Sequence, residues 1–218
     1  MTDASATGER EPRWPILVAL LTIGILSYGL PESLNLGPGW LLPLLVISFV
    51  IPTFITHRQG QHELSRKFGY LALAVVTAFI FGSIVLLVIG LFTKAETPVQ
   101  LLGAAGLLWI GNILVFACWY WKLDGGGPYQ RDVTGLHEKA AFLFPQMTLD
   151  TNLRRRMGQE NWKPRFLDYL FLAFNTSTAF SPTDVPALSR WAKGMMMLQS
   201  SVSLITLVLL AARAVNVL

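Results

Sequence analysis

Six apolar runs, each close to the length that crosses a lipid bilayer, are spread along the whole 218-residue chain. A membrane helix needs about 20 mostly apolar residues to cover a hydrocarbon layer of about 30 Å. The runs are Trp14–Leu30, Trp40–Ile55, Tyr70–Phe92, Val99–Trp121, Phe166–Phe180 and Met195–Val217. Only 14% of the residues are charged, against roughly 25% in soluble domains. Much of the surface must therefore face lipid. The expected fold is all-α: a multi-pass transmembrane bundle of six helices forming one membrane domain, residues 1–218.

The breaks between the runs are turn-forming or polar. Pro31 and Gly37-Pro38-Gly39 leave room for a tight turn. Residues 57–67 (HRQGQHELSRK) read as a polar loop, and Pro98 opens the fourth run. Asp124-Gly125-Gly126-Gly127-Pro128 stops it, because neither a glycine run nor a proline continues a helix. The stretch 122–165 reads as a loop on one face, with a short apolar patch at Ala140–Phe144 placed at the membrane interface. Trp119-Tyr120-Trp121 reads as an aromatic anchor at headgroup depth. Residues 1–13 are polar and carry both signs of charge. They lack the basic start, apolar core and cleavage site of a signal peptide, so the first run is kept as a membrane helix.

Basic residues set the orientation. With six crossings and both termini cytoplasmic, 14 of the 17 Lys and Arg lie inside, and Lys94, Arg190 and Lys193 lie outside. This obeys the positive-inside rule and accounts for the basic composition without a nucleic-acid partner. Arg154-Arg155-Arg156 reads as a topology signal, with anionic membrane lipid as the partner it would attract.

The last two runs carry the candidate site. The fifth ends in Asn175-Thr176-Ser177-Thr178, and Asn175 and Thr178 share a helix face. In the sixth, Gln199, Ser203 and Thr206 fall on one face at spacings of four and three. Polar faces inside a membrane line a watery path or hold helices together. Ser181-Pro182-Thr183-Asp184 matches a helix start with a capping box. Asp184 has a competing reading as the mouth of a cation path, near the outer turn.

Thr176-Ser-Thr178-Ala-Phe-Ser-Pro-Thr-Asp184, followed by Arg190-Trp-Ala-Lys193 and a final helix, resembles the pore region of potassium channels. In that family a short pore helix leads to a T-x-T-x-x-G-Y-G-D filter and then an inner helix. The resemblance aligns Thr176, Thr178 and Asp184 without a gap, and Ser181-Pro182-Thr183 stand where the family has Gly-Tyr-Gly. It implies an oligomer of this chain passing a monovalent cation. A pore loop facing outward would put 15 basic residues outside and two inside, inverting the charge rule. The fifth run is therefore expected to cross. The Phe180-Ser-Pro-Thr-Asp-Val185 turn and the Ala211-Ala-Arg-Ala-Val-Asn216 ending are also similar to a family of bacterial membrane proteins with no settled activity. That resemblance implies a bacterial inner membrane.

Other candidates are weaker. His57 and His62 are five apart, which is not the i, i+4 spacing of a helical metal pair, and His137 is remote. Cys118 is the only cysteine and sits in an apolar run. Asn112 reads as an interhelical hydrogen bond. Asp150 and Asp168 read as surface partners of Arg154–Arg156. No phosphate loop, nucleophilic triad or catalytic carboxylate pair is present, so neither an enzyme nor a cofactor is expected. Two functions remain: a cation channel or channel-like oligomer built on the last two helices, and a non-conducting accessory, assembly or signalling subunit.

Overall fold

The computed structural model describes residues 11–93, 96–134, 140–178 and 184–215. These are all-helical, with no strand among them and one isolated bridge, Phe142 to Ala187. The helices are α1 (Trp14–Leu26), α2 (Leu41–Arg58), α3 (His62–Thr93), α4 (Pro98–Leu123), α5 (Pro128–Thr134), α6 (Pro145–Thr148), α7 (Thr151–Arg156), α8 (Phe166–Thr178) and α9 (Arg190–Val215).

Four stretches are long and apolar enough to cross a membrane: Leu41–Arg58, His62–Leu91, Pro98–Gly126 and Arg190–Ala212. A fifth, Trp14–Gly29, is apolar but shorter. Large apolar side chains stand exposed on these helices, among them Ile25, Leu44, Val85 and Val208. A water-facing surface rarely carries so much contiguous apolar area.

Local chemistry sets the helix ends. Thr97 caps α4 in a capping box with Gln100, and Pro98 occupies the first turn, where its missing N–H costs nothing. At the other end Gly125, Gly126 and Gly127 all take positive φ, a region that disfavours side chains bearing a Cβ. The polar segment 57–67 is mostly helix rather than loop: α2 runs to Arg58, α3 begins at His62, and Gly60 turns between them at φ +74°.

Helix α4 is the centre of the bundle and packs on α1, α3, α8 and α9, while α2 packs mainly on α3. In α4, 61% of the membrane-length window is buried, against 17% in α2 and 22% in α9, which marks the latter two as peripheral. This corrects the reading of Trp119-Tyr120-Trp121 as a headgroup anchor. Tyr120 and Trp121 are buried, and the Trp119 indole donates to Thr77 Oγ1 at 2.9 Å.

Chain direction follows from the contacts along α4. Glu11 and Phe166 meet Trp121 at one end, called here the basic end. Gly29 faces Leu107 and Gly90 faces Leu101 toward the other. Helix α9 starts at the basic end, where Trp191 meets Phe142, and runs away from it, so that Gly106 faces Leu210.

The six-helix up-and-down expectation is not confirmed: four stretches are long enough to span, and α8 is not one of them. Its 13 residues cover about 20 Å, short of the hydrocarbon layer. It starts at the basic end beside Trp121 and stops alongside the middle of α9. By Val185 the chain is back at the basic end. Leu143 N–H donates to Pro186 O (3.0 Å) and Leu188 N–H donates to Ala141 O (2.7 Å). The Ala140–Phe144 patch is packed into the bundle rather than exposed; Ala141, Phe142 and Phe144 are core residues that pin this return.

Candidate functional site

The polar residues of the last two helices separate into a sealed group and an open group. Gln199 is fully buried at the meeting of three helices. Its Oε1 accepts from Tyr120 OH of α4 at 2.6 Å. Its Nε2 donates to Ala173 O (2.7 Å) and Ser177 Oγ (2.8 Å) of α8. One turn on, Asn112 Nδ2 of α4 donates to Ser203 Oγ (2.9 Å) and to Gln199 O (3.3 Å). Ser200 Oγ donates to Thr176 O at 3.2 Å. Thr206 is buried and returns its hydroxyl to Val202 O and Ser203 O.

The helical spacing of Gln199, Ser203 and Thr206 thus forms one buried face, as the sequence indicates. Its partner on α8 is Ser177, not the Asn175/Thr178 face. Asn112 makes the interhelical bond expected of it. The role of Tyr120 is hidden in the sequence, because an aromatic triplet at a helix end carries the pattern of an interfacial anchor.

Asn175 and Thr178 lie on the open side of α8, where both are partly exposed. Thr176 and Thr178 return their hydroxyls one turn back, to Leu172 O (2.8 Å) and Phe174 O (2.9 Å). Asp184 is exposed and lies directly before Val185, so it stands at the basic end with Arg190 and Lys193. It does not cap the last helix: α9 begins at Arg190, and Ser189 Oγ accepts from Ala192 N–H at 3.2 Å. Ser181, Pro182, Thr183, His137 and the Arg213 side chain lie outside the described residues.

A second buried polar cluster sits at the basic end. Asp124 is fully buried; its Oδ1 accepts from Ala141 N–H (2.6 Å) and its Oδ2 from Tyr169 OH (2.8 Å). Arg131 donates to Asp124 O (2.6 Å) and Trp121 O (3.0 Å), and pairs with Glu11 Oε2 at 2.8 Å. The Trp121 indole donates to the other Glu11 oxygen. Side-chain exposure is 6% for Arg131 and 9% for Glu11, so this is a buried ion pair. It ties together the N-terminal segment, the end of α4, α5 and α8. The 122–165 stretch is thus not simply a solvated loop. Asp150 and Asp168 do not pair with Arg154–Arg156. Asp150 caps α7 through Leu153 N–H, Asp168 accepts from Arg165 N–H, and Arg155 pairs with Glu160.

Comparison with known proteins gives no match to this chain, whether among family models, curated proteins or solved structures.

Proposed function

We propose that this chain is an oligomeric, channel-like membrane protein in which α8 is a half-helix that enters the bilayer from the cytoplasmic side and returns to it. The observation that carries this reading is that the start of α8 and the segment leading into α9 both lie at the basic end. The chain then crosses five times, with the N-terminus inside and the C-terminus outside. Read by chain order, 15 of the 17 basic residues fall on the cytoplasmic side, and only Lys94 and Arg213 fall outside. That obeys the positive-inside rule better than six crossings do. A bacterial inner membrane is the location that fits.

The electrostatics favour a cation. A helix C-terminus carries partial negative charge and unpaired carbonyls. Here that end lies midway along the bundle, where lipid screens nothing and half-helix ends in transporters coordinate cations. Asn175 and Thr178 stay partly exposed on the outer side of α8. Polar groups at membrane depth need protein or water as a partner. A second copy of the chain on that side supplies one and encloses a path for a monovalent cation.

A second reading, a non-conducting accessory subunit, draws on the sealed seam. Gln199, Ser203 and Thr206 are 0% exposed and hold α8 and α9 to α4 within one chain. Cation flux through purified protein in liposomes separates the two. Flux above empty liposomes is expected, lowered severalfold by Thr178→Val and by Asp184→Asn. No flux from protein shown to be folded would sink conduction and leave the accessory reading.

A further inference from the structure

The basic end also holds a cavity of about 650 Å³ between the start of α1, the end of α2, the start of α3 and the end of α4. This lies within the size range of small-molecule sites, roughly 300–1,000 Å³. It has two chemically distinct parts. One wall is apolar, with Ile16, Leu17 and Leu20 of α1 facing Val50 and Phe54 of α2. The other end gathers Arg13, His57, His62, Arg66 and Lys122, with Glu63 the only carboxylate in the lining among the described residues.

Existing partners leave part of the positive charge of Arg13, Arg66 and Lys122 unmatched. Arg13 pairs with Asp132 at 3.5 Å, and Arg66 pairs loosely with Glu63 at 3.6 Å across an exposed face. Lys122 has no carboxylate within ion-pairing distance among the described residues. Its ammonium sits over the Tyr70 ring, 4.6 Å from the centroid, in space left by the missing side chain of Gly69. His62 stacks on Tyr129 with ring centroids 4.4 Å apart, and its buried Nδ1 has no hydrogen-bond partner.

We propose that this cavity binds one anionic phospholipid, with the phosphate headgroup at Lys122 and Arg66 and an acyl chain along the α1/α2 wall. Three features select that occupant. The cationic end matches a phosphate. The apolar wall continues into the membrane-length part of the bundle, which a free phosphate ion would leave unfilled. The cavity also lies at the cytoplasmic interface in the orientation argued above, so a lipid of the inner leaflet reaches it sideways. The site does not depend on conduction, and its test is independent of the flux assay.

The test uses the full-length chain, delipidated in detergent and mixed with phosphatidylglycerol or phosphatidylcholine bearing the same acyl chains. Bound lipid is counted by native mass spectrometry. Phosphatidylglycerol should be retained in preference, at one molecule per chain, and millimolar inorganic phosphate should not displace it. Lys122→Gln and Arg66→Gln should each lower its retention about fivefold, the worth of one interfacial charge. The triple change of Arg154, Arg155 and Arg156 to Gln should move it about twofold or less, since those residues lie outside the cavity. Each variant is first shown to keep the parent's thermal midpoint. Equal retention of the two lipids, displacement by inorganic phosphate, or a loss confined to the Arg154–Arg156 variant would each overturn the proposal.

Discussion

Replacing Arg131 with alanine is expected to cost about 3–5 kcal/mol of stability, the usual penalty for breaking a buried ion pair from one side. The guanidinium holds four elements at once. It donates to the carbonyls that end α4, pairs with Glu11 and lies against the rings of Trp121 and Tyr169, 5.9 and 5.5 Å from their centroids. Without it, the Glu11 carboxylate keeps the Trp121 indole alone among the bonds described, Trp121 O loses the guanidinium, and Asp124 O is left with Gly127 N–H. Denaturant unfolding of the purified protein in micelles measures the loss. Arg155→Ala is the comparison, since Arg155 and Glu160 are 71% and 53% exposed. An exposed pair of that kind is worth about 0–1 kcal/mol. The double change Glu11→Leu with Arg131→Met removes both charges, so it should recover much of the stability lost by Arg131→Ala. If Arg131→Ala costs no more than Arg155→Ala, the cluster does not organise the basic end.

That cluster was not legible in the sequence, and the reason is physical. Glu11, Asp124, Arg131 and Tyr169 are scattered over more than 150 residues, and hydropathy patterning reports only on neighbours along a helix. Asp124 next to three glycines looks like any loop acid. The long apolar helices were legible, because a bilayer demands continuous apolar length whatever the tertiary contacts. The face formed by Gln199, Ser203 and Thr206 was legible for the same local reason; its partners Tyr120 and Ser177 lie on other helices and were not.

The α8 region shows where such reasoning stops. A largely apolar run of 15 residues is long enough for a strained crossing and equally suited to a half-helix. The charge rule rejects a pore loop only if the loop faces outward. A loop facing inward keeps Arg190 and Lys193 with the other cations, whereas a six-crossing bundle must place them on the outer side. The fold places the start of α9 at the basic end with the other cations, where they need no exception.

Cysteine labelling should separate these two topologies outright. In a Cys118→Ala background, single cysteines replace Glu32, Gln61 and Leu188, each exposed in the folded chain. Cys118 itself is fully buried, so its removal takes away an unreactive thiol rather than a surface feature. A membrane-impermeant maleimide is added to right-side-out and to inside-out vesicles. Gln61→Cys lies in the α2–α3 turn at the basic end and reports the cytoplasmic side, while Glu32→Cys lies between α1 and α2 and reports the opposite one. Leu188→Cys should label together with Gln61→Cys, because Leu188 N–H is bonded to Ala141 O at the basic end. A crossing α8 would instead make it label with Glu32→Cys. That result would remove the half-helix, and with it the helix C-terminus at mid-depth on which the case for a cation path rests. Agreement would place the last turn of α8, with Asn175 and Thr178, inside the membrane on a segment that returns to the side it came from. A segment of that kind must find water or a neighbouring chain for its polar groups.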